Sequence, residues 1–499
     1  MLAMRDYLLP LIWMIAFSHP VWANWQRAGG ESVSELGEIH GAATYTRTFP
    51  VEPGQDYLFS AVVEGDCPVN FLIRAPEISA PYWKKIAYNR IGEQQKVLGL
   101  YNSRNASGLT VEVRTVPSSY ANPGLTKLQE VRLEKVDFSK TPLQRKKTFS
   151  ATTRIDAETL IVIPAEDTEA QDHRRLAELI QAKFSGRPRI VRDQEVCLED
   201  APAIRPEFAA RHLIILGNLD SNRAIWPAYV RSLAASDNYY PGAAGYEVRT
   251  AVNVLDQGGN HIIIGSTRLQ GLEAGVQRFL ELAVEELPYL LEIRLDGACR
   301  NRVEADIKLW KGFPDGPFPQ EEPGYHTIRR WYHNAMLYYW TGDAFYKTMA
   351  RELFQPVLKD MAYTHHYIME WLILTWRMVA MTDLYSDAEK AQAELLIFQN
   401  YLEFQKGADL YWMQFMTPPY DQVMQASRHN TSPWMCQLEL SNYLRNNLEL
   451  DGPLLELVDF TFEEMSRALY GIAMSRQEQD GGGGDGQGLE EQILSFYRF

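Results

Sequence analysis

The sequence predicts a multidomain chain in three parts: an all-β region, a small α/β region and an all-α region. Three observations predict it. From about Asn24 to Phe138, apolar and polar residues alternate in short runs. From Ile155 to Ile307, short apolar runs alternate with helical stretches. From Gly324 onward, apolar residues recur at helical spacing, broken by short turns.

Length and charge bound the answer. A chain of 499 residues suggests about three domains. Its 46% apolar content is enough for ordinary cores and argues against wholesale disorder. The net charge of −15 makes nucleic acid an unfavourable partner. The 12 Trp and 26 Tyr suit stacking on sugar rings, and they fill large cores equally well. Cys67, Cys197, Cys299 and Cys436 are scattered without metal-ligand spacing, and no disulfide pairing is readable from them.

The first 23 residues have the form of an export signal. Arg5 precedes a short apolar run, Leu8–Phe17, and Val21-Trp22-Ala23 puts small residues at cleavage spacing. The run is short for a bilayer span, and no later stretch is long and apolar enough to be one. The expected location is secreted or periplasmic, with no membrane contact after cleavage.

Residues 24–138 read as a β-sandwich. The expected strands are Tyr45–Val51, Tyr57–Val63, Asn70–Arg74, Val97–Tyr101, Leu109–Val116 and Leu128–Val136, with a turn at Pro53-Gly54-Gln55-Asp56. Tyr82 and Trp83 sit in a polar loop, where they either stack on a sugar ring or cap the sandwich edge. Asn105-Ala106-Ser107 fits an N-glycosylation acceptor. The polar, basic stretch 139–154 reads as a linker.

In residues 155–307, Thr159–Ile163, His212–Leu216 and His261–Ile264 read as buried strands. Ala170–Phe184 and Gly271–Val284 read as helices. Gly265-Ser266-Thr267 opens a helix after a strand, where it either holds an anion or makes an ordinary strand-to-helix turn; lacking the lysine of a phosphate loop, it reads as the turn. The Pro- and Gly-rich stretch 308–323 is a second linker.

Residues 324–499 read as helices Tyr325–Trp340, Ala344–Met361, Thr364–Met381 and Asp387–Gln405, an aromatic loop from Leu410 to Thr431, and two further helices. The first of these two starts with Ser432 as cap and Pro433 at its first position; the second spans Leu454–Ser475. The stretch Met361–Asp383 stands out. Ile368, Trp371, Leu372, Leu374 and Met378 give an apolar surface, interrupted on one face by His366, Glu370 and Arg377. Those polar groups either satisfy one another internally or line a wet pocket.

Three resemblances accompany this reading. FPVEPGQDYLFSAVVEG together with VRLEKVDF resembles the jelly-roll carbohydrate-binding modules of secreted polysaccharide enzymes. Gly217 with Asn222, Gly245-Tyr246-Glu247-Val248, Ile262–Gly265, Gly271, Gly275 and Phe279-Leu280 resemble the non-catalytic α/β domain that precedes the barrel of family 20 β-hexosaminidases and α-glucuronidases. No barrel-forming alternation follows here. AMLYYWTGDAFYKTMA resembles the helix–break–helix signature of (α/α) toroid enzymes, among them polysaccharide lyases and glycoside hydrolases. The helices fall short of a full toroid, so a small toroid or a chain truncated at Phe499 is expected.

These resemblances imply a carbohydrate-active enzyme that acts on a polysaccharide or oligosaccharide; no cofactor and no metal are expected, the spacing of His366 and Glu370 not being diagnostic of a metal site. Cleavage of an acidic glycan by β-elimination needs a group to neutralise the uronate carboxylate, a base and an acid. By residue type, the lyase resemblance offers His429 or Tyr420 as base and acid and Arg428 or Asn430 for the carboxylate, with Asp421, His366, Arg330 and His333 in the same set; the helix Met361–Asp383 adds Glu370, Trp371 and Arg377 as a substrate-facing wall. Each has a packing alternative: Arg428 pairing with Asp421, for example, or Asn430 capping a helix. A hydrolase would instead use Glu370 and Asp421 as a carboxylate pair. A glycan-binding protein without catalysis is the third reading.

Overall fold

The computed structural model describes residues 24–28, 32–33, 36–67, 69–75, 83–88, 92–115, 124–147, 150–165, 170–310, 323–360, 366–406 and 428–478. The export-like segment and residues 407–427 and 479–499 lie outside the described residues. The chain divides into two compact units: residues 1–141 with 402–424, and residues 142–401 with 425–499.

The first unit is β-rich. A six-stranded sheet runs in the order Ser32–Val33, Trp25–Arg27, Ala43–Pro50, Gly108–Thr115, Val69–Arg74, Trp83–Tyr88. A four-stranded sheet runs Gly37–His40, Leu125–Val136, Asp56–Gly65, Gln95–Asn102. All pairings are antiparallel. Alternation places Phe59, Ala61 and Val63 inside, and Phe71, Ile73, Val111 and Val113 likewise. Phe59 of one sheet meets Phe71 of the other, with ring centroids 5.1 Å apart. Gly54 takes a positive φ of 73° in the expected turn, a conformation that glycine adopts without steric cost. Trp83 opens a strand paired with Val69–Arg74 rather than lying in a loop; Tyr82 lies outside the described residues.

The second unit begins with a mixed sheet. Its strands are β1 (Leu160–Ile163), β2 (Arg189–Arg192), β3 (Leu213–Gly217), β4 (Tyr246–Ala251), β5 (His261–Gly265) and β6 (Leu291–Arg294), in spatial order β2-β1-β3-β5-β4-β6. The first four in that order are parallel, and β4 and β6 join antiparallel. Ile161, Ile163, Ile214 and Ile262 face α1 (Ala170–Lys183) and α2 (Leu269–Leu282) in one core; Leu160, Val162, Leu213 and Ile263 fill a second core. Strands buried on both faces read as unbroken apolar runs, which explains LIVI and HIII. The glycine pattern has a packing cause: a Cβ at Gly271 would overlap the Gly245 carbonyl and the Ser266 hydroxyl.

The helices that follow are α3 (Gly297–Trp310), α4 (Pro323–Thr341), α5 (Ala344–Asp360), α6 (His366–Val379), α7 (Asp387–Gln405), α8 (Arg428–Asn447) and α9 (Gly452–Glu478). Helix α4 packs on α5 and α6, and α8 packs on α6 and α9. Gly342, at φ 67°, makes the α4–α5 break, and Asp343 Oδ1 accepts from the Phe345 amide at 2.9 Å to start α5. Phe354 and Tyr385 stack with centroids 3.8 Å apart, and Trp331 donates to the Tyr385 hydroxyl at 2.7 Å.

Three expectations are corrected here. Helix α8 begins at Arg428, so Ser432 and Asn430 lie inside it rather than capping it. Residues 308–310 finish α3 instead of opening a linker. The basic stretch 139–154 is tied down: Arg145 forms a β-bridge with Leu448, the Lys146 amide donates to the Asn447 carbonyl at 2.8 Å, and Thr153–Arg154 pairs with Glu286–Leu287. The side chains explain the docking, since Arg145 reaches Glu394 at 2.7 Å and Lys146 donates to the Arg445 carbonyl at 2.6 Å.

Candidate functional site

A cavity of about 30 Å³ opens within the second unit, where the loops of the mixed sheet meet α6 and α8. The sheet side supplies Arg231, Leu233, Asn253 and Asp256; α6 supplies Arg377; α8 supplies Asn442, Tyr443, Asn446 and Asn447. The loop after β4 turns sharply because Asn253 and Asp256 adopt positive φ of 49° and 58°. Asn and Asp tolerate that region better than other residues with side chains. Asn253 also organises the loop: its amide donates to Asn260 Oδ1 at 2.9 Å, and its own Oδ1 accepts from the Gly258 amide at 2.7 Å. That fixes the side-chain amide and leaves Nδ2 buried with no hydrogen-bond partner.

The helix side is more fully satisfied. Trp376 donates to the Tyr443 hydroxyl at 2.9 Å, and that hydroxyl donates to Glu394 Oε1 at 2.9 Å. Burial pushes the Tyr443 phenol well above its ordinary range, and Glu394 adds to the shift. With its proton committed to Glu394, Tyr443 is a structural member of this wall rather than a base. Asn446 donates to Asn442 Oδ1 at 2.7 Å, and Asn447 to the Tyr443 carbonyl at 2.8 Å. Arg377 pairs with the buried Glu439 at 3.4 Å.

The charge in the cavity is uneven. Burial lowers the Arg231 pKa and Asp256 opposes that shift, while the neighbouring Arg377 adds to it. Protein bulk raises the Asp256 carboxyl, although it sits at the exposed rim; Arg231 first, then Arg377, Arg445 and Lys146 pull it down. Four cations thus act on one rim carboxylate, two of them already paired: Arg377 with Glu439 and Arg445 with Asp459. Beside the cavity, His261 is fully buried with both ring nitrogens unpartnered. Burial, with Arg231 and His212 adding, lowers its pKa to about 3.

The expected site residues fare unequally. Arg377 lines the cavity. Arg330 is exposed on α4 and lines no part of it. His333 is corrected from substrate contact to core: it is 1% exposed and lies edge-on to Tyr332, with centroids 4.5 Å apart. His366, Glu370 and Trp371 lie on α6, and Arg428, His429 and Asn430 open α8; their side chains are outside the described residues, as are Tyr420 and Asp421 entirely. The cavity residues Arg231, Asn253 and Asp256 were missed. The sequence signal for Asn253 and Asp256 is the run VNVLDQGGN, a turn rich in Asn, Asp and Gly directly after a buried strand; Arg231 lies outside it.

Among the described residues, no group of three or more His, Cys, Asp or Glu comes together to hold a metal. The four cysteines are buried and form no disulfide among the described residues. No described helix is long and apolar enough to cross a membrane.

No known protein family matches the sequence. No curated protein matches it. Among solved structures, the chain is similar to one described as "CBM4 structure and function", at 12% identity and a TM-score of 0.16, over 19% of this chain and 61% of that one. The chain thus spans less than two thirds of that structure's length. A likeness of that size carries no argument about fold or ligand.

Proposed function

We propose that this is an exported carbohydrate-active protein that cleaves an acidic polysaccharide by β-elimination. The observation that carries this reading is the cavity: Arg231, Arg377 and an unpartnered Asn253 amide gathered on a chain of net charge −15. An anionic substrate needs a locally basic recess, and neutralising a uronate carboxylate is the first requirement of elimination. In the same reading the two antiparallel sheets form a jelly-roll-like sandwich, supported by the Phe59–Phe71 contact between them. The helical hairpins form part of an (α/α) toroid, supported by the α4–α5 and α8–α9 pairs.

The test is incubation with polyuronates. Growing absorbance from an unsaturated uronate, abolished by His429→Ala, supports elimination. New reducing ends without that absorbance, abolished by Glu370→Gln, replace it with hydrolysis. Binding with neither product leaves a glycan-binding protein. Export is tested by the N-terminal residue of the mature protein, expected near Asn24.

A further inference from the structure

We propose that the cavity between Asn253, Arg231 and Arg377 is a carboxylate site, built to receive one acidic-sugar carboxylate from the solvent side. This site rests on the elimination reading and deepens it, and its test does not require cleavage.

Unmet donors point to an anion. Asn253 is 4% exposed, and its Nδ2 has no hydrogen-bond partner. The Gly258 amide holds Oδ1, so the end left over is the donor. A buried donor without an acceptor is costly and rare, and an acceptor on a ligand removes that cost. Arg231 lies in the same wall, half-buried, and a partly desolvated guanidinium gains most from an anion.

Two of the helix-side acceptors are already engaged: Asn442 Oδ1 takes the Asn446 amide, and the Tyr443 hydroxyl takes the Trp376 indole. Size narrows the choice further. A cavity of about 30 Å³ has room for roughly two water-sized atoms. Two carboxylate oxygens fit that space.

Asp256 then acts against the ligand. Its like charge at the rim weakens anion binding, and Arg231 and Arg377 oppose it in sign.

The experiment is titration calorimetry of the full chain with sodium glucuronate, with glucose and glucose 6-sulfate as comparisons, at low ionic strength. Glucuronate is expected to bind at least tenfold tighter than glucose. Asn253→Asp keeps the acceptor for Gly258, replaces the donor with an acceptor and adds a negative charge; it is expected to lose at least tenfold. Arg231→Gln is expected to lose a similar factor. Asp256→Asn is expected to bind several-fold tighter. Equal binding of glucose, tighter binding of the sulfate, or no response to Arg231→Gln and Asp256→Asn would overturn the site. A weakened Asp256→Asn would point to a cationic ligand and overturn it too. If Asn253→Asp does not fold, the opposite responses of the other two variants decide. Unsaturated product without glucuronate binding would keep the elimination reading and end this site; binding without product would do the reverse.

Discussion

The second unit contains two arginine clusters that differ in one respect. Arg249, on β4, is fully buried and pairs with the equally buried Glu247 at 3.0 Å. Its guanidinium lies 4.2 Å from the Tyr339 ring and 4.8 Å from the Trp340 ring of α4. Glu247 also accepts from the Ser236 amide at 2.9 Å and the Ser236 hydroxyl at 2.6 Å. Burial alone would lower the Arg249 pKa; Glu247 and the neighbouring tyrosines hold it above its ordinary value. Arg231 has no such cage. It faces a cavity, with a carboxylate only at the rim and an unpartnered amide beside it. The lesson is that a buried arginine is not in itself a functional signal. A cage of Glu247 and two aromatic rings fastens the sheet to α4, with Arg249 Nη1 left without a hydrogen-bond partner, and Tyr240 also donates to the Trp340 carbonyl at 2.8 Å. An open, donor-rich wall is what recognises a ligand.

Four changes put that contrast to the test. Arg249→Met should have the largest effect, because it strands Glu247 without its cation: about 3–5 kcal/mol of stability, read from denaturant unfolding. A loss below about 1 kcal/mol would show the cage to be slack.

Acid should act next, through His261. Its folded pKa of about 3 lies below the ordinary 6.5, so the unfolded chain binds the extra proton. Stability is complete above about pH 6.5 and falls as pH drops toward 3. The limiting slope is about 1.4 kcal/mol per pH unit. His261→Leu should flatten the melting temperature across that window; an unchanged acid slope would assign the effect elsewhere.

Tyr443→Phe should cost about 1–3 kcal/mol, since it leaves the Trp376 indole unpaired. Glucuronate affinity should stay within about threefold, because the hydroxyl is committed to Glu394; this variant separates the structural wall from the binding wall. Arg231→Gln should have the smallest effect on stability, within about 0.5 kcal/mol, because its guanidinium faces the cavity instead of a closed cage. A large loss from that variant would make the two arginine clusters alike.

The sequence carried the periodicities. Period two over Tyr57–Val63, unbroken apolar runs at LIVI and HIII, and helical spacing over Asp387–Gln405 all survive in the structure, because each follows from which faces a segment must bury. The glycine pattern around Gly245 and Gly271 was legible as a pattern, and the packing supplies its steric cause. What the sequence could not carry is proximity. Arg231, Asn253, Arg377 and Asn442 are far apart along the chain, and only packing of the β4 loop against α6 and α8 sets them around one cavity. Nor could residue type separate Arg249 from Arg231. That distinction rests on whether neighbours from other elements close around a charge or leave it facing open space, and tertiary contacts alone decide it.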